Sequence, residues 1–170
     1  MAVLSLSHTP VFSQEDEHHE EHKHHRIAGI MSHTYIPKGY NSTENSSFLI
    51  VPSWGFNYEY WFNEKWAIGL HNDIEISTYI IETPEGSELE RERPFITSLV
   101  GIYKPVKGLE IIAGFGKEFE NHESFLVYRI GLEYEIEISH HWDLAPGLVF
   151  DIKEETYNSW TLGIGIGRKF

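Results

Sequence analysis

The last twelve residues, Ser159 to Phe170, restrict the possible folds more than any other stretch of the chain. Trp160, Leu162, Ile164, Ile166, Arg168 and Phe170 share one parity, while Thr161, Gly163, Gly165, Gly167 and Lys169 fill the other. Strict period-two alternation is the signature of a β-strand, because successive side chains point to opposite faces. A soluble sheet would bury the bulky face and coat the other with charge. Here the second face is almost bare glycine, which suits the crowded interior of a narrow barrel whose bulky side chains point outward. Arg168 interrupts the bulky face near the strand end, where a long side chain reaches water.

The same alternation recurs upstream. Leu126, Tyr128, Ile130, Leu132, Tyr134, Ile136 and Ile138 oppose Val127, Arg129, Gly131, Glu133, Glu135 and Glu137. Trp66, Ile68, Leu70, Ile74, Ile76 and Ile80 oppose Ala67, Gly69, His71, Asp73, Glu75 and Tyr79. Phe48, Ile50, Pro52, Trp54, Phe56, Tyr58, Tyr60 and Phe62 make another apolar face. Leu109, Ile111, Ala113 and Phe115 oppose Glu110, Gly114 and Gly116, and Leu144, Pro146, Leu148 and Phe150 oppose Gly147 and Asp151. Segments 26–37 and 95–104 also read as strands, but their facing is not fixed by pattern. The expectation is all-β, with eight strands at 26–37, 47–62, 66–82, 95–104, 109–119, 125–138, 143–152 and 159–170.

The connections alternate in length. Residues 38–46, 83–94, 120–124 and 153–158 are long and polar, while 63–65, 105–108 and 139–142 are tight. This predicts an eight-stranded antiparallel up-and-down transmembrane β-barrel with both ends of the barrel on the short-turn side. No run approaches 18 consecutive apolar residues, so a spanning helix is excluded, whereas a spanning barrel uses only every second residue for lipid. Tyr60, Phe62, Trp66, Trp142 and Phe170 lie near the short turns, and Phe48, Phe119, Phe125 and Trp160 near the long loops. Two such aromatic girdles are expected at the two water boundaries of a membrane barrel. The competing architecture is a soluble lipocalin-like barrel or β-sandwich that buries the aromatics. It accounts for the glutamate-lined strand 125–138 and fails for the glycine-lined last one.

In strand count, loop alternation and the terminal Phe170, region 26–170 resembles the small eight-stranded outer-membrane barrels of the OmpA/OmpX type. The resemblance implies a bacterial outer-membrane location. It also implies lipid as the surroundings and recognition of the last strand, ending at Phe170, by the barrel-assembly machinery. About activity it is nearly silent.

Residues 1–13 read as a signal peptide whose basic start is missing, the alternative being an ordinary N-terminus. Residues 14–25 (QEDEHHEEHKHH) form a His/acid-rich tail, periplasmic by strand count. Neutral imidazoles at His18, His19, His22, His24 and His25, mixed with carboxylates, suit loosely held Zn, Ni or Cu(II). A solvated tail that binds nothing is the alternative. No cofactor is required. Cys is absent, and the formal net charge of −13 argues against a nucleic-acid partner. Composition does not indicate an oligomeric state.

Chemistry could also reside inside the barrel, where parity places Glu59, His71, Asp73, Glu75, Glu110, Arg129, Glu133, Glu135, Glu137, Asp151 and Lys169. If the hairpin through 63–65 closes symmetrically, His71 faces Asn57 and Glu59 faces Gly69. A salt-bridged polar plug is the simplest use of these groups, with Arg129 and Lys169 neutralising some of the acids. The functional alternative is a cation site built on His71, Asp73 and His33. An interior this narrow excludes a general diffusion pore.

No catalytic set emerges. Ser139, His140 and His141 occupy a tight turn, and neighbours on a strand point to opposite faces, which disfavours a nucleophile–base pair. Asn72 breaks an outward stripe but stands by itself. The stretch holding Glu85, Glu88, Glu90, Arg91, Glu92 and Arg93 reads as a solvated loop. The leading expectation is a non-enzymatic outer-membrane barrel serving the envelope or a surface interaction, with divalent-metal capture by its tail. A lipid-modifying outer-membrane enzyme and a soluble ligand-binding barrel remain as alternatives.

Overall fold

The computed structural model describes residues 23–37, 39–40, 48–83, 86–120, 123–154 and 156–170. The strand segments are β1 (His25–Pro37), β2 (Gly39–Tyr40), β3 (Phe48–Trp61), β4 (Trp66–Glu75), β5 (Thr78–Glu82) and β6 (Glu88–Glu92). They continue with β7 (Phe95–Val106), β8 (Leu109–Phe119), β9 (Phe125–Tyr134), β10 (Ile136–Ser139), β11 (Trp142–Lys153) and β12 (Asn158–Lys169). Each barrel strand pairs antiparallel with its neighbours. Because β1 pairs with β12, and β11 pairs with both β12 and the broken β9–β10 strand, the sheet closes on itself. The eight-stranded barrel expected from the pattern is present.

Local registers follow from the short turns. Asn63 Oδ1 accepts from the backbone N–H groups of Lys65 and Trp66, at 2.9 and 3.1 Å, and so fixes the β3–β4 turn. With that turn set, Asn57 lies opposite His71 and Glu59 opposite Gly69, as symmetric closure requires. At the seam, His25 and Phe170 exchange backbone hydrogen bonds of 3.0 and 2.9 Å. Phe170 thereby extends the β1–β12 ladder.

The outward face carries the bulk. Trp54, Phe56, Phe62, Trp66, Phe115, Ile130, Leu162 and Ile166 are all more than half exposed. Phe48, Phe119 and Trp160 stand outward toward the long-loop end, and Trp66, Trp142 and Phe170 toward the short-turn end. The two segments with undetermined facing are now settled. In β1, Arg26, Ala28, Ser32, Thr34 and Ile36 point inward, and Met31, His33 and Tyr35 outward. In β7, Ile96, Ser98, Val100 and Ile102 point inward.

Two boundaries differ from the sequence expectation. The strand expected at 66–82 ends at Glu75, and after a break at 76–77 the chain resumes as β5. The stretch expected as a loop at 83–94 contains β6, which pairs with β5. Together with β2 they form a small three-stranded sheet beyond the barrel mouth. This sheet packs Tyr79 and Ile81 onto Ile36, Val51 and Tyr157, with Leu49 and Leu89 alongside, as an apolar lid. Alternation alone did not reveal the break, because Tyr79 and Ile81 keep the inward parity of β4.

Candidate functional site: the charged barrel interior

Among the described residues the interior holds four ion-pair clusters, each held by strands far apart in sequence. At the short-turn end, Arg26 is buried to 1% exposure and donates through Nη1 to Glu59 (2.8 Å) and through Nε and Nη2 to Asp143 (3.0 and 2.6 Å). Glu59 also accepts from the Trp61 indole at 3.2 Å. Beside this cluster, Lys104 bridges Glu110 (2.9 Å) and Glu135 (3.0 Å), and Lys169 donates to Glu135 at 2.6 Å. The Lys104 ammonium lies 4.4 Å from the centre of the Trp61 ring, a favourable cation–π placement.

Midway along the barrel, Arg129 donates twice to Asp151, at 2.8 Å each, and to Asp73 at 2.6 Å. The first contact is the bidentate fork that guanidinium and carboxylate geometry favours. At the long-loop end, Lys153 lies 2.9 Å from Glu118 and 3.6 Å from Glu75. Tyr79 donates to Glu75 at 2.5 Å, and Tyr157 to Glu118 at 3.1 Å. Tyr79 and Tyr157 belong to the part beyond the barrel wall. Burial first, reinforced by the Glu75 and Glu118 charges and, at Tyr157, opposed by the nearby Lys153 ammonium, holds both phenols above their ordinary range, so both stay protonated as donors at neutral pH.

The glycines of the inward face make room for these charges. A Cβ at Gly167 would meet Asp143 Oδ1 at 2.5 Å and Arg26 Nε at 2.6 Å, and one at Gly55 would meet Asp73 Oδ1 at 2.8 Å. Between the clusters there remains a cavity of about 30 Å³, lined by residues including Asn57, His71, Asp73, Arg129 and Glu133. That is room for a water molecule.

The expected interior residues Glu59, His71, Asp73, Glu75, Glu110, Arg129, Glu133, Glu135, Asp151 and Lys169 all lie on the inward face. Arg129 and Lys169 neutralise acids as anticipated. Glu137 does not belong to the network. The break at Glu135 and a register shift between Glu137 and Ser139 leave it exposed at the rim, 3.8 Å from Lys107. The cation site on His71, Asp73 and His33 does not assemble. His33 points outward between Pro52 and Leu162, Asp73 is taken by Arg129, and His71 Nε2 lies 3.4 Å from Glu59. Among the described residues no group of three or more His, Asp or Glu could hold a metal ion.

His18, His19 and His22, together with the segment read as a signal peptide, lie outside the described residues. His24 and His25 are attached to the barrel end. His24 Nδ1 is 2.8 Å from the Trp61 carbonyl, and His25 Nδ1 is 2.8 Å from the Tyr58 hydroxyl. The His25 ring also stacks on Phe170.

Sequence reasoning missed Arg26, Lys104, Glu118, Asp143 and Lys153. The signal available for Asp143 was the alternation of 143–152, whose inward parity it shares with Asp151. For Arg26 no pattern existed, because both faces of β1 are mixed.

Arg91 corrects the reading of 83–94 as solvated. Its side chain is fully buried, pairs with Glu118, donates to the Glu123 carbonyl at 2.8 Å and lies 4.7 Å from the Phe125 ring centre. It pins the β5–β6 hairpin to the barrel mouth. Arg91→Ala is expected to cost about 1.5–3 kcal/mol, the range for hydrogen bonds to charged groups, because Lys153 still neutralises Glu118. The loss should appear as faster protease cleavage at 83–87, with the barrel itself intact. Unchanged cleavage would mean that the hairpin is held by its apolar contacts alone.

No protein-family profile matches the chain, and no curated protein matches it in sequence. Solved structures do match. The N-terminal β-barrel domain of Pseudomonas aeruginosa OprF superimposes with a TM-score of 0.57 at 13% identity, covering 88% of this chain and 100% of that one. Neisserial surface protein A gives 0.55 at 10% identity, covering 86% and 97%. Ail, the attachment invasion locus protein of Yersinia pestis, gives 0.52 at 12% identity, covering 88% and 100%. At these identities the likeness is one of fold: a small, closed, eight-stranded barrel.

Proposed function

We propose that this chain is a non-enzymatic integral β-barrel of a bacterial outer membrane, with its short turns in the periplasm and its long connections at the cell surface. In this reading it serves as an envelope or surface-interaction protein rather than a pore. One observation carries the proposal: the large apolar and aromatic side chains face out, while the ion pairs face in. A water-soluble monomer rarely exposes an apolar patch larger than a few hundred Å², whereas lipid requires such a belt. The likeness to OprF, Neisserial surface protein A and Ail supports the same location. The ion-pair clusters support a sealed interior.

Detergent gels test the location. The expected result is a compact band in the unboiled protein that shifts on boiling. Solubility without detergent, together with identical migration before and after boiling, would overturn it. In planar bilayers the protein should give no steady conductance; a stable open channel would refute the sealed plug. An altered lipid A mass on expression would favour the lipid-modifying enzyme instead. Ser139, His140 and His141 stand exposed on their turn, which gives that alternative little support.

The tail reading is that His18, His19, His22, His24 and His25 capture Zn, Ni or Cu(II) loosely in the periplasm. Replacing His18, His19 and His22 with Gln in the full chain should weaken Zn or Ni binding by at least about tenfold, since mutating even the outer-shell partners of metal ligands costs 10–100-fold in affinity. Unchanged affinity would remove the tail from the metal reading. Recognition of β12 and Phe170 by the assembly machinery belongs to the same proposal, and a Phe170→Ala chain should assemble more slowly.

A further inference from the structure

The outward-parity positions of the eight barrel strands carry no carboxylate among the described residues, although Asp and Glu outnumber Lys and Arg by 26 to 13 in the chain. The outward Lys and Arg residues within those strands are Lys117 near the long-loop end and Arg168 near the short-turn end. Lys117 does not stand by itself. It pairs in register with Thr97, and Thr97 with Asn72, so three polar residues cross β4, β7 and β8 in one row. The Thr97 hydroxyl donates to Asn72 Oδ1 at 2.8 Å, and Asn72 Nδ2 to the Phe56 carbonyl at 3.0 Å. This is the polar interruption that Asn72 announced in the sequence, continued across three strands.

Toward the mouth, the same face presents the cross-strand pair Phe95 and Phe119. The Lys117 ammonium rises to 5.3 Å from the centre of the Phe119 ring. Arg93 lies two residues before Phe95, outside β7, and borders the same groove as Phe119. It adopts a left-handed backbone conformation (φ 46°) and is exposed. An open groove of about 370 Å³ runs here, bounded by Glu92, Arg93, Phe119 and Glu120. Glu120 lies 3.4 Å from Arg91, so that buried guanidinium offsets its charge.

We propose that this face of β7–β8 is a docking site for the phosphorylated headgroup of an outer-leaflet lipid, with Arg93 and Lys117 holding the phosphate and Phe95 and Phe119 lying against the first part of its acyl region. The proposal rests on the membrane reading above. Charge selects the occupant. A cation on the lipid-facing side at the aromatic girdle meets anionic headgroups before it meets bulk water. The Asn72–Thr97–Lys117 row places polar groups directly below that level. A neutral lipid would leave both cations without an anionic partner.

The test uses the full chain, folded in detergent with EDTA present, and native mass spectrometry to count retained lipid A. Three proteins are compared: wild type, the double variant Arg93→Gln/Lys117→Gln, and the periplasmic-turn control Lys65→Gln. Heat-modifiable migration is checked for each. Wild type and control should retain lipid A, and the double variant should bind it about tenfold more weakly or worse, as expected for two lost cations near a headgroup surface. Dephosphorylated lipid A should bind all three equally weakly, and excess inorganic phosphate should not displace lipid A.

Equal retention by the double variant would overturn the proposal. Displacement by inorganic phosphate alone would make this a free-anion site, and loss of a dimer in the double variant would make it a face between two copies; either result overturns it too. A protein that is heat-modifiable but shows no difference refutes this site while leaving the membrane reading in place. A protein that is not heat-modifiable refutes the membrane reading itself.

Discussion

Replacing Arg129 with Met is expected to lower the stability of the folded barrel by about 3–5 kcal/mol, the usual cost of removing one partner from a buried charge network. Arg129 is 3% exposed and is the ion-pair partner of both Asp73 and Asp151. Without it, two carboxylates remain in the interior with no other Lys or Arg within 4 Å among the described residues. The measurement is reversible urea unfolding in detergent micelles or vesicles. The compensated variant Arg129→Met/Asp73→Asn/Asp151→Asn should recover most of the loss, because neutral amides are far cheaper to bury than unpaired charges. If the single variant loses less than about 1 kcal/mol, as a screened surface pair would, the cluster is water-filled rather than a plug.

A second large effect is expected at Gly116. A Cβ built there lies 2.0 Å from the Thr97 carbonyl oxygen, and one at Gly114 lies 2.2 Å from that of Leu99. Both obstructions are backbone atoms, so only a shift of β7 against β8 can relieve them. Gly116→Ala should therefore cost about 3 kcal/mol, at the upper end of overpacking effects, and should reduce the heat-modifiable fraction on refolding. Gly29→Ala is the matched control, because a Cβ there meets nothing within 4 Å. Equal stability of the two variants would show that the strands are not held in this close approach. Together the two experiments separate two requirements of the interior: its charges must be matched, and its walls must be thin where strands crowd.

Period-two alternation carried most of the fold. It placed Trp160 to Phe170, Leu126 to Ile138 and Phe48 to Phe62 on the outside, because a strand alternates faces whatever surrounds it. It also gave the Asn57–His71 and Glu59–Gly69 pairs, since a tight turn transmits register directly to its two strands. It gave no facing for β1, where Ala28, Ser32 and Thr34 alternate with Gly29, Met31 and His33 and neither set is decisively apolar. Glu137 shows the opposite error. Its parity was correct for a continuous strand, but the break at Glu135 moved it to the rim.

Arg91 was hidden for a different reason. Its neighbours Glu88, Glu90 and Glu92 have the composition of a solvated loop, yet β6 folds back so that one residue of the run meets Glu118 and Phe125. Composition averages over a segment, whereas burial is decided residue by residue through contacts with distant strands.

The sequence by itself therefore determined the number of barrel strands, the alternation of long and short connections, and which side chains face out on six of those strands, all of which depend on residues close together in the chain. The tertiary structure alone decided how the inward charges pair. Arg26 meets Asp143, 117 positions away, and Arg129 meets Asp73 across 56. Such partners are set by the stagger of all eight strands around a closed sheet, a property of the whole ring. That is why the acidic interior was legible as a composition before any of its ion pairs could be named.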